Sequence, residues 1–90
     1  MSEPADRIVV DARGLRCPLP VIRLAQRARE AGAGAVIEVW ATDPAAAADI
    51  PAWCRMRGHE LVDVHDVHDV HDDERYTVYS VQVAGSGSTG

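Results

Sequence analysis

Asp11-Ala12-Arg13-Gly14-Leu15-Arg16-Cys17-Pro18-Leu19-Pro20 is the stretch that decides the fold. A short β-branched run, Ile8-Val9-Val10, precedes it, and an amphipathic helical pattern follows. The stretch is therefore the joint between a strand and a helix. Prolines at 18 and 20 cannot lie in a helix interior, because each removes a donor and clashes with the preceding turn. They are tolerated in a first turn, whose amides have no intrahelical partner. The spacing places Cys17 at the N-cap, Pro18 at N1, Leu19 at N2 and Pro20 at N3. Pro18 and Pro20 then stiffen the platform under the sulfur. The free amides and the positive end of the helix dipole face the thiol, and Arg13 and Arg16 add positive potential. This reading predicts an exposed Cys17 thiol of lowered pKa.

Outward from the joint, residues 18 to about 31 read as a helix. Val21, Leu24, Ala25 and Ala28 form the apolar stripe, and Gly32 and Gly34 end it. Val36 to Ala41 has the nearly continuous apolar character of a buried parallel strand. Thr42 or Asp43 caps a second helix with Pro44 at its first position, and Ile50, Trp53 and Met56 are its candidate core contacts. Pro51 predicts a kink or restart near Asp49 or Ile50. Gly58 ends this helix. His59 to Val64 reads as a third strand and Tyr76 to Val83 as a fourth, with Tyr79, Val81 and Val83 on one face.

Between them lies a triplet repeat, Val64-His65-Asp66-Val67-His68-Asp69-Val70-His71-Asp72. A period of three matches neither a strand nor a helix, so the strand should bulge or give way to a loop inside it. The repeat then sits at the tip of a hairpin, where length is free to change. The order is βαβαββ: an α/β two-layer sandwich, with a mixed four-stranded sheet and two helices on one face.

The 90 residues make one domain over 1–84, with 1–6 read as a frayed end and 85–90 as a flexible Gly/Ser tail. Formal net charge is −5, which argues against a direct nucleic-acid binder. Arg13, Arg16, Arg23, Arg27 and Arg29 nevertheless cluster around the Cys17 segment, where an acidic partner surface could dock. Neither a signal peptide nor a membrane span is visible, which predicts a cytoplasmic protein whose Cys17 and Cys54 are thiols.

The residues from Asp11 to Pro20 resemble the Cys-Pro-x-Pro signature of the TusA sulfur-carrier family. Thr42-Asp43-Pro44, then Asp49-Ile50-Pro51-Ala52-Trp53-Cys54, then His59-Glu60-Leu61-Val62 extend the resemblance. The resemblance implies a fold like the C-terminal domain of translation initiation factor three. It implies a sulfurtransferase of carrier type, in which Cys17 takes up sulfane sulfur as a persulfide and relays it. The donor would be a protein such as a cysteine desulfurase or rhodanese. The acceptor would serve tRNA thiolation, molybdenum-cofactor supply or sulfur metabolism. The Val-His-Asp expansion and the lack of Lys depart from the family.

Such exchange needs one accessible thiolate and calls for no cofactor or metal. Cys54 lies about ten residues into the second helix, roughly 15 Å along it at 1.5 Å per residue, so it reads as structural rather than resolving. The competing reading is a metal-binding module on the His and Asp residues of 65–72, with its weakness in the spacing.

Overall fold

The computed structural model describes residues 7–84; the expected frayed end and Gly/Ser tail lie outside the described residues. Six elements follow in order: β1 (Arg7–Ala12), α1 (Leu19–Ala31), β2 (Val36–Ala41), α2 (Ala46–Arg57), β3 (Glu60–Asp69) and β4 (Glu74–Gln82). They build a four-stranded sheet in the order β1-β2-β4-β3, with β1 parallel to β2 and the other pairs antiparallel. Alternation along the strands divides the sheet into two faces. Val10, Ala12, Ile37, Val39, Ala41, Tyr79 and Val81 point into the core, where they meet Leu24, Ala28, Ile50 and Trp53. Both helices cover that one face, giving the α/β two-layer sandwich.

Each helix buries a narrow stripe. In α1 it is Pro20, Leu24 and Ala28; in α2 it is Ala46, Ile50, Trp53 and Cys54. Met56 falls off the α2 stripe and is 75% exposed, so it is not the core contact expected of it. α2 also runs unbroken through Pro51. The donor missing at Pro51 would have bonded the carbonyl four residues back, at Ala47, which is exposed and open to water. The helix ends at Gly58, whose φ of 78° is the left-handed conformation that lets its N–H reach the Cys54 carbonyl.

The triplet repeat is mostly strand. Val64 to Asp69 pair residue by residue with Tyr79 to Glu74, and only the last triplet joins the turn. The expected bulge lies before the repeat, between Leu61 and Asp63. A three-residue period is tolerated because most of these side chains are exposed: past the helices, neither face of the hairpin has to be apolar. The outer half of the hairpin also holds Tyr76, stacked on Trp40 with ring centroids 5.4 Å apart.

His59 joins α2 to the end of β4. Its ring lies 4.8 Å from that of Trp53, and its Nδ1 accepts the Ala84 N–H at 2.9 Å. Burial, then the charge of Arg57, pushes its pKa below the ordinary value.

Two outcomes are expected. Deleting Val67–Asp72 should leave a folded domain but pull Tyr76 off Trp40. A loss of about 1–2 kcal/mol follows from the ring stack and the cation it carries. Thermal melts should show a Tm lower by about 5–10 °C. For His59, the unfolded chain binds the proton more tightly than the folded one. Its contribution is therefore full above the unfolded value of about 6.5 and is lost as pH falls toward the depressed folded value. Urea midpoints compared between the parent and His59→Gln should converge as pH drops through that window.

Candidate functional site

The parallel register of β1 and β2 ends on Ala12 opposite Ala41, so the loops that leave these strands run side by side. They are tied together. The Gly14 N–H donates to Thr42 Oγ1 at 2.9 Å, and the Cys17 N–H donates to Asp43 Oδ2 at 2.8 Å. The other oxygen of Asp43 accepts the Ala45 N–H at 3.0 Å, at the entry to α2. These amide bonds, with the Arg16 charge assisting, hold the Asp43 carboxyl below the usual carboxylate range.

Cys17 stands one residue farther from α1 than its sequence spacing predicts. The N-cap is Pro18, Leu19 is N1 and Pro20 is N2. The Cys17–Pro18 peptide is cis. The Leu19 N–H donates to the Arg16 carbonyl at 2.9 Å, and the first helical bond runs from Ile22 to Pro18 at 3.0 Å. One helix-start amide is thus consumed in a turn around Cys17, and proline removes another at position 20, so this helix end does not activate the sulfur as expected. Pro20 is buried beneath the turn, while Pro18 is exposed.

The electrostatics run opposite to expectation. Partial burial, a hydrogen bond to Asp49 and the charges of Asp49 and Asp43 push the Cys17 thiol up to about 11. The free protein holds a protonated thiol near neutral pH. The sequence by itself assigns neither acid to the thiol: it offers Asp43 as a helix cap and places both acids in the runs that extend the resemblance. The signal was the pairing of parallel strands, which brings residues 13–17 against 42–45.

The two arginines part company. Arg16 is exposed beside Asp43. Arg13 crosses to the helix-free face. Its guanidinium meets Asp11 through Nη2 at 2.7 Å and Nε at 2.8 Å, and Glu74 through Nη1 at 3.1 Å. It also lies over the rings of Trp40 and Tyr76, at 5.1 and 4.9 Å. Arg13 thus anchors the first residue after β1 and directs its charge away from the sulfur.

Cys17 is half-buried and Cys54 is 3% exposed within the core; both are free thiols. His65 and His68, three residues apart on a strand, lie on opposite faces. Each pairs with a carboxylate, His65 with Asp63 at 2.7 Å and His68 with Asp73 at 2.8 Å. Among the described residues no set of three or more His, Cys, Asp or Glu could hold a metal ion, so nothing supports the metal-binding reading.

Comparison with known proteins agrees with this architecture. A sulfur carrier protein TusA from Pseudomonas syringae is 48% identical over 66 residues, covering 69% of this chain and 79% of that protein. A putative sulfur carrier protein from Archaeoglobus fulgidus is 44% identical over 57 residues, covering 63% and 78%. The crystal structure of a SirA-like protein from Desulfitobacterium hafniense superposes with a TM-score of 0.62 at 25% identity, covering 88% of this chain and 99% of that one. The model of the family described as sulfurtransferase TusA matches residues 8–80, which take in nearly all of β1, the Cys17 turn, the Asp43 bridge and nearly all of β4. With a sheet, a cysteine turn and relatives that all agree, the chain belongs to the sulfurtransferase TusA family of sulfur carriers.

Proposed function

We propose that Cys17 is the sulfur-bearing residue of this carrier. The observation that carries the reading is the contrast between the two thiols. Cys17 reaches solvent on a turn pinned at Gly14, Cys17 and Leu19, whereas Cys54 is enclosed by the core. In loading, the Cys17 thiolate attacks the terminal sulfur of a donor persulfide. A sulfur–sulfur bond forms on Cys17, the donor's sulfur–sulfur bond breaks, and its electron pair leaves on the donor cysteine. That cysteine takes up the proton Cys17 has lost, so no oxidant or reductant is consumed. Unloading repeats the step with an acceptor thiol as the attacking group.

The protein is then a sulfurtransferase of carrier type, and its partners are a donor, such as a cysteine desulfurase or rhodanese, and a sulfur acceptor. Leu19 and Ile22, 44% and 47% exposed, give an apolar spot on the first turn of α1, the helix that follows the Cys17 turn. With Arg16 and Arg23 around it, this spot suits a partner that pairs an apolar contact with acidic side chains. The pathway served would be tRNA thiolation, molybdenum-cofactor supply or sulfur metabolism, reached through a protein acceptor rather than by direct contact with nucleic acid. A cytoplasmic site of action goes with a free, half-buried thiol that reaches solvent. Among the described residues no helix is long and apolar enough to cross a membrane.

Intact mass after incubation with a cysteine desulfurase and cysteine tests the reading. The parent should gain one sulfur atom, removable by reductant. Cys17→Ser should gain none while melting like the parent, and Cys54→Ser should still load. Uptake by Cys17→Ser would remove Cys17 from the role.

A further inference from the structure

Among the described residues β3 is an edge strand. It pairs with β4 on one side and presents main-chain donors and acceptors along the other. That edge is Glu60–Asp69, 10 residues long, and it carries the Val-His-Asp repeat. The register with β4 assigns the faces. His65, Val67 and Asp69 share the helix-free side with Val78, Tyr76 and Glu74, and Val64, Asp66 and His68 share the helix side with Tyr79, Thr77 and Arg75. Each of the two histidines is held to its own chain by one ring nitrogen, His65 Nδ1 to Asp63 at 2.7 Å and His68 Nε2 to Asp73 at 2.8 Å. The second nitrogen of each ring is left for another carboxylate. Asp66 uses one oxygen on the Thr77 hydroxyl at 2.8 Å, and Asp69 uses one on the His71 amide at 3.0 Å.

We infer that β3 is a dimer edge, on which two copies of this chain pair antiparallel about a two-fold axis at Val67. Such an axis is perpendicular to the sheet, so opposed residues share a face and one residue stands opposite its own copy. The repeat decides which residue that is. Centred on Asp66, the pairing sets Asp on Asp and Val on His. Centred on His65 or His68, it sets His on His and Val on Asp. Centred on Val64, it runs into the bulge between Leu61 and Asp63. Centred on Val67, it sets Val67 on Val67, Asp66 on His68 and His65 on Asp69, with Val64 against Val70 where the turn begins. Read outward from this valine, the repeat is its own complement. Each copy offers His65 and His68 and receives them on Asp69 and Asp66, on both faces of the joint sheet. Unlike charges and matched β-branched residues directly across a strand pair favour it, and like charges oppose it. An imidazolium between two carboxylates donates from both nitrogens. Main-chain bonds along the edge add affinity. The occupant is a second copy because this chain's own repeat supplies the complement at each position. The carrier reading is not involved: β2 and β4 separate β3 from β1, the strand that leads to Cys17.

Two experiments on the full chain test the pairing. In the first, Cys17→Ser and Cys54→Ser remove the native thiols, and Val67→Cys is compared with Val64→Cys under mild oxidation. On the axis, the introduced thiol meets its own copy within the Cα reach of a disulfide, about 4.4–6.8 Å. Val64 lies opposite Val70, so its own copy is about six residues along the strand, roughly 20 Å at 3.3 Å per residue. Val67→Cys should form a disulfide-linked dimer at least about tenfold faster, although Val64 is the more exposed of the two. In the second, sedimentation equilibrium at concentrations up to about millimolar should show the parent's mass rising toward that of two chains. His65→Asp with His68→Asp should stay monomeric, as should Asp66→Lys with Asp69→Lys. Mixed in equal amounts, these two variants should recover the two-chain mass, since each supplies what the other lacks. A parent that stays monomeric, equal cross-linking at the two positions, or a mixture no heavier than its components overturns the inference. A two-chain mass without the Val67→Cys preference assigns the dimer to another surface, such as the β1 edge, and overturns it too. Should a charge variant fail to fold by circular dichroism, the disulfide comparison decides alone.

Discussion

The Asp43 carboxylate is the constraint on which the rest of the site depends. One oxygen holds the Cys17 amide and the other the Ala45 amide, so a single side chain joins the turn before α1 to the entry of α2. Both loops emerge from adjacent parallel strands, and β1 and β2 set their spacing. A buried backbone donor left without a partner would cost about 1–3 kcal/mol. Asp43 meets that need at Cys17 and ties the entry of α2 to the cysteine turn. Geometry and electrostatics at the thiol thus follow from one interaction, and the charge that orders the turn also disfavours the thiolate.

Much of the architecture was legible in the sequence because its signals are local. The stripe of Leu24 and Ala28, the apolar run Val36–Ala41 and the alternation through Tyr79, Val81 and Val83 each identify an element and its buried face. The misreadings came from features that only neighbours decide. A proline pair announces a helix start without saying which residue is the cap, and the Arg16 carbonyl settles that by taking the Leu19 amide. Pro51 predicts a break only if the freed carbonyl lacks water. Arginines near a cysteine in sequence predict a cationic site only if they point toward it, and Arg13 is drawn away by two aromatic rings and two carboxylates.

The helix-free face has a different logic from the core. Val78 and Ser80 are buried there without a second layer of secondary structure. Long side chains supply the cover: Trp40, Tyr76 and the Arg13 guanidinium lie over this side of the sheet, closed at the rim by Asp11 and Glu74. Few aromatics are available in this chain, with Phe absent altogether, and two of them serve this lid. Because the lid includes the residue that follows β1, the segment leading to the sulfur is braced from the face opposite the helices.

The triplet hairpin has a consequence for how the gene can drift. Three Val-His-Asp units in tandem let a whole unit be gained or lost without breaking the pattern. A unit is odd in length, whereas a strand alternates its side chains in pairs. Because the insertion equals the period, one extra unit within β3 would put Val on Val, His on His and Asp on Asp at the positions already paired with β4, and would add three residues at the turn end. A second unit would do the same, with its side chains on the faces opposite to those of the first, and lengthen the ribbon further. The outer hairpin can absorb either change, since most of its β3 side chains face water, but the bulge at Val62 isolates Leu61, packed on the core, from any such slip. A whole unit can therefore be added to or taken from this segment with the residue pattern facing β4 preserved.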